Sequence, residues 1–271
     1  MLNLKLKMLC GFSLFFVCTA AFAIPDPCKE GDLAFNSGRY QQAISAYSNC
    51  IKANAKAIDA YFNRAGAFTA LKKYKEALAD YDQVIALSPT DVDAYYNRGL
   101  IQLTLRNYAK ANEDLTLAIE LSPNDSDFYG SRAQAKTGLK AYPEALTDFN
   151  KAIELNAKNV SAFAHRGSLY LIMQRYAQAH ADLNQAISLG HKDPMAWFQR
   201  GLASYRLAHY SEAIKDFTLV AQRTPQSANV FYNRGLAYMA LKNCPKAKAD
   251  FAKACKLGDK QACQADKLKC S

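Results

Sequence analysis

Apolar residues fall at spacings of three and four from Ala60 to Leu71 and again from Lys75 to Leu87, with a polar break at Lys72-Lys73. That rhythm is the signature of amphipathic helix, here two helices folded back on each other. The block then repeats. Tyr recurs at a constant interval of 34 residues at Tyr40, Tyr74, Tyr108, Tyr142, Tyr176 and Tyr210, and Cys244 holds the seventh slot. Three residues after each comes an alanine: Ala43, Ala77, Ala111, Ala145, Ala179, Ala213 and Ala247. A large apolar residue follows four positions later, at Tyr47, Tyr81, Leu115, Phe149, Leu183, Phe217 and Phe251. Gly or Ala stands at positions 31, 65, 99, 133, 167, 201 and 235, where small residues let two helix backbones approach. Residues 24–261 thus divide into seven units without insertion or deletion: 24–57, 58–91, 92–125, 126–159, 160–193, 194–227 and 228–261. One helix pair cannot bury both of its faces, so the expected core is a continuous one built by stacking.

These features resemble the tetratricopeptide repeat family. The match rests on the aromatic near each unit's start (Tyr61, Tyr95, Tyr129, Phe163, Trp197, Phe231), the Gly/Ala position, the Ala-x-x-x-aromatic of the second helix, and closing prolines at Pro89, Pro123 and Pro225. It covers 238 of 271 residues. The resemblance implies an all-α fold, a right-handed superhelical solenoid of seven antiparallel helix pairs with a capping helix at 262–271. One departure is systematic. Where the family pattern has Leu before the Gly, this chain has Arg64, Arg98, Arg132, Arg166, Arg200 and Arg234. Each is followed 16 residues later by an acid: Asp80, Asp114, Asp148, Asp182, Asp216 and Asp250. Those positions lie level in an antiparallel pair, so we read a ladder of structural ion pairs; a basic stripe for an acidic ligand is the alternative. The first unit has Glu30 and Ala46 in those places.

The N-terminus reads differently from the rest. Lys5 and Lys7 precede an apolar run from Leu9 to Phe22, and Ala21-Phe22-Ala23 carries small residues where a signal peptidase reads them. Residues 1–23 are expected to be a secretory signal cleaved after Ala23, with an uncleaved anchor as the alternative. The destination is then the periplasm or, second, the extracellular space. Export removes two lysines and leaves 32 basic against 24 acidic residues. Nine basic and three acidic residues lie within 228–271. Lys242, Lys246, Lys248, Lys253, Lys256, Lys260, Lys267 and Lys269 form a basic cap, either solubilising or a contact for anionic lipid or cell-wall polymer. No nucleic-acid motif accompanies them.

Six cysteines remain beyond the signal, and an even number in an exported chain reads as disulfides. Cys28 lies early in the first helix and Cys50 late in the second, so antiparallel packing brings them together. The run from Cys255 to Cys263 looks like the pair that bridges helices in cysteine-rich bacterial helical repeats. Nesting of a capping helix then implies Cys255–Cys263 and Cys244–Cys270; a zinc site from these four is the rival.

No catalytic motif is present: no G-x-S-x-G, no H-E-x-x-H and no phosphate-binding glycine loop. His165, His180, His191 and His209 occupy different repeat positions. No enzyme activity, cofactor or metal is therefore expected. In the family the first helices line a concave groove that receives a peptide or extended segment. Its positions here are Asn63, Asn97, Ser131, His165, Gln199 and Asn233, beside the aromatics Phe62, Tyr96, Phe198 and Tyr232. The carboxylate clamp of chaperone-binding repeats is missing: Asp59, Asp93 and Asn229 stand where cations would be needed. The expectation is a protein-binding scaffold with a peptide partner. The alternatives are an envelope factor docking through its basic cap and an exported effector.

Overall fold

The computed structural model describes residues 26–265, and among these every regular element is a helix. The expected leader and its cleavage site lie outside the described residues, as do Lys267, Lys269 and Cys270. The first helices of the seven units are α1 (Pro27–Asn36), α3 (Ile58–Ala70), α5 (Val92–Thr104), α7 (Ser126–Gly138), α9 (Val160–Ile172), α11 (Pro194–Arg206) and α13 (Ala228–Ala240). The second helices are α2 (Tyr40–Ala53), α4 (Tyr74–Leu87), α6 (Tyr108–Leu121), α8 (Tyr142–Leu155), α10 (Tyr176–Ser188), α12 (Tyr210–Arg223) and α14 (Cys244–Lys256). A short α15 (Lys260–Ala265) closes the described chain, starting two residues earlier than the expected cap.

The helix ends follow from local chemistry. Asp91 accepts from the Ala94 amide and Asn159 from the Ala162 amide, satisfying donors that open helices leave unpaired. The first helices stop at a residue held in the left-handed region: Lys72, Arg106, Lys140, Gln174, Ala208 and Lys242 have φ between 57° and 63°. At the first of these the Lys73 amide reaches back to the Phe68 carbonyl at 2.8 Å, and the Lys72 amide to Thr69 at 2.9 Å. This double bond satisfies the last carbonyls of the helix. Glycine is the low-cost occupant of that conformation, and another residue pays about 1 kcal/mol to hold it.

Each helix pair packs through the repeated alanine and the large residue after it. Ala43, Ala77, Ala111, Ala145, Ala179 and Ala213 have no exposed surface, and Tyr47, Phe149, Phe217 and Phe251 keep 1 % or less. A Cβ placed on Gly201 would stand 2.8 Å from Phe217 Cε1, so α11 and α12 approach as closely as a glycine permits. Successive first helices also touch: α1 with α3, α5 with α7, α7 with α9, α9 with α11, and α11 with α13. Successive second helices make no comparable contact. First helices therefore converge and line the concave side of a right-handed superhelical solenoid, with second helices splayed outside.

The arginines bind the stack together. Arg200 Nε and Nη2 donate to Asp216 Oδ2 and Oδ1 at 2.9 and 2.7 Å, a two-pronged pair between α11 and α12. Its remaining Nη1 donates to Asn184 Oδ1 of the preceding unit at 2.8 Å. The same geometry recurs for Arg64–Asp80, Arg98–Asp114, Arg132–Asp148, Arg166–Asp182 and Arg234–Asp250, with N–O distances of 2.6 to 3.0 Å. The third bond goes to Ser48, Asp82, Thr116, Asn150 and Thr218 respectively. Five of these guanidiniums also lie over the aromatic three residues earlier, such as Arg132 over Tyr129 at 5.5 Å. The Asp216 hydrogen bonds hold the Arg200 guanidinium above its ordinary pKa, against the opposing penalty of burial. Each arginine thus joins both helices of its own unit to the second helix of the unit before.

The ladder stops at both ends. Glu30 and Ala46 replace its members in the first unit, and Ala252 stands where an eighth unit would need an acceptor. A Cys28–Cys50 disulfide ties α1 to α2, and a Cys255–Cys263 disulfide ties α14 to α15. The loop-entropy estimate for the first is about 3 kcal/mol. Ala262 and Ala265 of α15 pack on Phe251 and Ala254, leaving Gln261 and Gln264 exposed to solvent. Cys244 is also disulfide-bonded; Cys270, the partner expected for it, lies outside the described residues.

Removing either side of a clasp should leave a desolvated charge behind. Asp216→Ala is expected to lower unfolding free energy by about 3 kcal/mol. Asn184→Ala, which removes only the inter-unit bond, should cost about 1 kcal/mol. Urea denaturation of the single and double variants of Arg200 and Asp216 checks this; additive losses would mean that the pair is not coupled.

Candidate concave binding surface

The expected groove residues all lie on first helices, but they do not share one environment. Phe62 meets the Tyr81 ring edge-on at 5.6 Å, Phe198 packs on Phe217 at 5.7 Å and Tyr232 on Phe251 at 5.9 Å. Tyr96 lies 4.7 Å from Phe128 of the next unit. These rings build the floor by packing outward onto second helices or the neighbouring unit. Phe198 is 9 % exposed and Ser131 6 %, so neither offers a partner a surface.

The asparagines are half-buried, and each already spends an amide donor within the protein. Asn97 Nδ2 donates to the Asp93 carbonyl at 2.8 Å, one turn back on its own helix, and Asn233 Nδ2 likewise to the Asn229 carbonyl. Asn63 Nδ2 donates to Asp32 Oδ1 at 3.2 Å, beside the Tyr47 hydroxyl, which donates to the same oxygen at 2.8 Å. Burial and the neighbouring Asp32 push that phenol's pKa up. Asn97 thus keeps its second N–H and its Oδ1 for a partner.

His165 and Gln199 line hollows in the surface. Two adjoining hollows meet at His165 and Ser168 of α9. One, of about 310 Å³, runs along α7 and α9 past Gln134, Thr137 and Ile172. The other, of about 470 Å³, runs along α9 and α11 past Ser161, His191, Met195 and Gln199. Ile172 and Met195 are each 54 % exposed, so each hollow holds one open apolar side chain. Between them Ser168 Oγ lies 2.8 Å from Gln199 Oε1. His165 is exposed, yet the protein around it partly desolvates its ring; that, with His191 nearby, holds its imidazole below the ordinary histidine pKa.

The other candidates lie elsewhere. His180 Nε2 is 2.9 Å from Glu212 Oε1, joining α10 to α12 outside the groove. Burial raises the Glu212 pKa, but the hydrogen bond and charge of His180, with Arg200 and Ser204, together outweigh it and the net shift is downward. Of the cap lysines, Lys246 and Lys253 lie over Tyr238 and Phe231, while Lys242, Lys248, Lys256 and Lys260 are exposed. Among the described residues no group of three or more His, Cys, Asp or Glu is placed to hold a metal ion.

Comparison with known proteins identifies the architecture. Tetratricopeptide repeat profiles match residues 28–56, 92–125, 164–228 and 198–262, and a TPR repeat profile matches 65–105. A protein prenyltransferase alpha subunit repeat profile matches 142–173. The chain belongs to the tetratricopeptide repeat family. No curated protein matches it. Among solved structures it is similar to a tetratricopeptide repeat protein from Parabacteroides merdae, at TM-score 0.66 and 21% identity, covering 89% of this chain and 96% of that one. The C-terminal part of a TPR repeat-containing protein from Cytophaga hutchinsonii aligns at TM-score 0.66 and 17% identity, covering 89% and 99%. The Cut9–Hcn1 structure aligns at TM-score 0.69 and 15% identity, covering 88% of this chain and 47% of that one. At these identities the likeness shows the shared fold.

The two classes of groove residue should separate by mutation. Phe198→Ala is expected to cost about 3 kcal/mol of stability through the cavity it opens. Asn97→Ala and Gln199→Ala should stay within about 1 kcal/mol. Chemical denaturation checks both; equal losses would place all of them in the structural core.

Proposed function

We infer that this chain is an exported, non-catalytic scaffold that binds a segment of a protein partner in its concave groove. Its family membership supports the coarser statement, a protein–protein interaction scaffold. The observation that carries the finer one is the pair of hollows joined at His165 and Ser168, with an open apolar side chain in each and a neutral polar saddle between. Such a surface offers apolar pockets plus hydrogen-bond donors and acceptors to an extended backbone. It holds no cation to fix an anionic terminus, and Asp193 at its rim disfavours one. The partner segment is therefore neutral or basic.

Export is supported by the charge, apolar and small-residue pattern of residues 1–23, with the periplasm the preferred destination. A second reading, docking to an anionic envelope polymer through the C-terminal cap, draws on its exposed lysines. High salt would abolish such docking and leave groove binding largely intact.

A photo-crosslinking residue at Ser161 or His165, expressed in cells, should label one partner, while the same residue at Gln185 on a second helix should not. Equal labelling from both faces would refute the groove reading. N-terminal sequencing of the recovered protein should begin at Ile24; a chain retaining Met1 would refute cleavage.

A further inference from the structure

The two edges of the solenoid carry opposite charge. Because every unit is an antiparallel pair, all turns from first to second helix lie on one edge and all turns between units on the other. The former occupy residues 37–42, 71–76, 105–110, 139–144, 173–178, 207–212 and 241–246, and hold ten Lys or Arg against three Glu. The equivalent stretches opposite, 54–59, 88–93, 122–127, 156–161, 190–195, 224–229 and 258–263, hold four Lys against seven Asp. The acidic excess has a local cause at four positions. Asp91, Asp125, Asp193 and Asp259 accept bonds from the backbone amides that open α5, α7, α11 and α15. The basic edge has no such cause.

Four of its ten cations, Lys72, Arg106, Lys140 and Lys242, sit where the backbone would favour glycine. Lys72, Arg106 and Lys140 take φ of 58°, 59° and 63°, are exposed, and have no ion-pair partner among the described residues. Each follows an exposed leucine: Leu71 at 37 %, Leu105 at 40 % and Leu139 at 46 %. The turns are neighbours in space. Lys73 Nζ reaches Gln41 Oε1 of the first unit at 3.4 Å, and the Tyr108 ring lies against Gly138. Consecutive units stack on one another, α4 on α5 and α6 on α7, so units two to four present three successive turn tips, each a leucine beside a cation.

We propose that this edge docks on an anionic lipid bilayer, with the leucines entering the headgroup boundary and the neighbouring cations meeting lipid phosphates. A bilayer satisfies both halves of the motif together. The acidic edge of a second copy would meet the cations, but its carboxylates are largely engaged in capping. The first hollow opens beside this edge at Tyr108, Thr137 and Gly138, but the second, past Ser161, His191 and Met195, lies toward the opposite edge, so a docked molecule keeps that one open. The docking does not depend on the groove reading.

The test exploits the φ values. The triple variant Lys72→Gly, Arg106→Gly, Lys140→Gly removes three charges while relieving backbone strain, so it remains folded by circular dichroism and melts no lower than the parent. Co-sedimentation of the full chain with vesicles of phosphatidylcholine containing one-quarter phosphatidylglycerol should show binding above that to pure phosphatidylcholine. Each cation near an anionic surface is worth about fivefold, so the triple variant should lose about a hundredfold of that excess. Both proteins carry the same apolar N-terminal segment, so their difference reports on the edge. Leu71→Ser, Leu105→Ser, Leu139→Ser should also weaken binding. Unchanged binding by the glycine variant, or by the serine variant, overturns the proposal. So does parental self-association in sedimentation velocity that the glycine substitutions abolish, which would assign the edge to a second copy.

Discussion

The three-way arginine clasp is the interaction on which the stack depends. A helix pair of 34 residues has too little interior to be stable alone, and its exposed faces would fit other packings. Apolar burial brings the pairs together but is non-directional. The guanidinium supplies direction. Two of its donors match one carboxylate inside the unit, and a third reaches a fixed acceptor on the unit before. Its face rests on the aromatic one turn earlier in five of the six units. Asp216 is 4 % exposed at its side chain, against 15 % for Arg200, so the acid is locked in and the base remains a bridge near the surface.

The rest of the molecule can be understood from that constraint. A ladder that adds one unit at a time must be told where to stop, and it stops by substitution: Glu30 and Ala46 at one end, Ala252 at the other. Disulfides tie down the terminal helices there, where a repeat has a neighbour on one side only. Fixed registration also keeps all like turns on the same edge, so that small biases in turn composition add up to an edge with a definite charge. It holds the first helices close enough to form a groove, whose central hollows fall where α7, α9 and α11 meet.

Much of this was legible in the residues. A 34-residue period with an invariant alanine leaves few options for the fold, and the Arg and Asp spacing of 16 carries the intra-unit pair. The third arginine bond also leaves a periodic trace in the sequence: oxygen acceptors recur at Ser48, Asp82, Thr116, Asn150, Asn184 and Thr218 with the same period. Groove chemistry was harder. Phe62 and Phe198 occupy groove-facing positions by count, yet a large ring turns toward whatever apolar surface is nearest, here Tyr81 and Phe217. Asn97 has an acceptor one turn back on its own helix, and no spacing rule reveals that it takes it. The hollows depend on how side chains from three helices fail to fill a space, and that is a property of packing rather than of any motif.

The central claim is that the clasps couple neighbouring units into one cooperative stack. Arg166→Met, in the fifth of seven units, removes one clasp while keeping the apolar stem that packs beside Phe163 and Tyr170. Native-state hydrogen exchange, read amide by amide, tests it most directly. The coupled account predicts that units one to four and units five to seven open with separate free energies in the variant but with a common one in the parent. A uniform opening free energy across all seven units of the variant, unchanged from the parent, would contradict it.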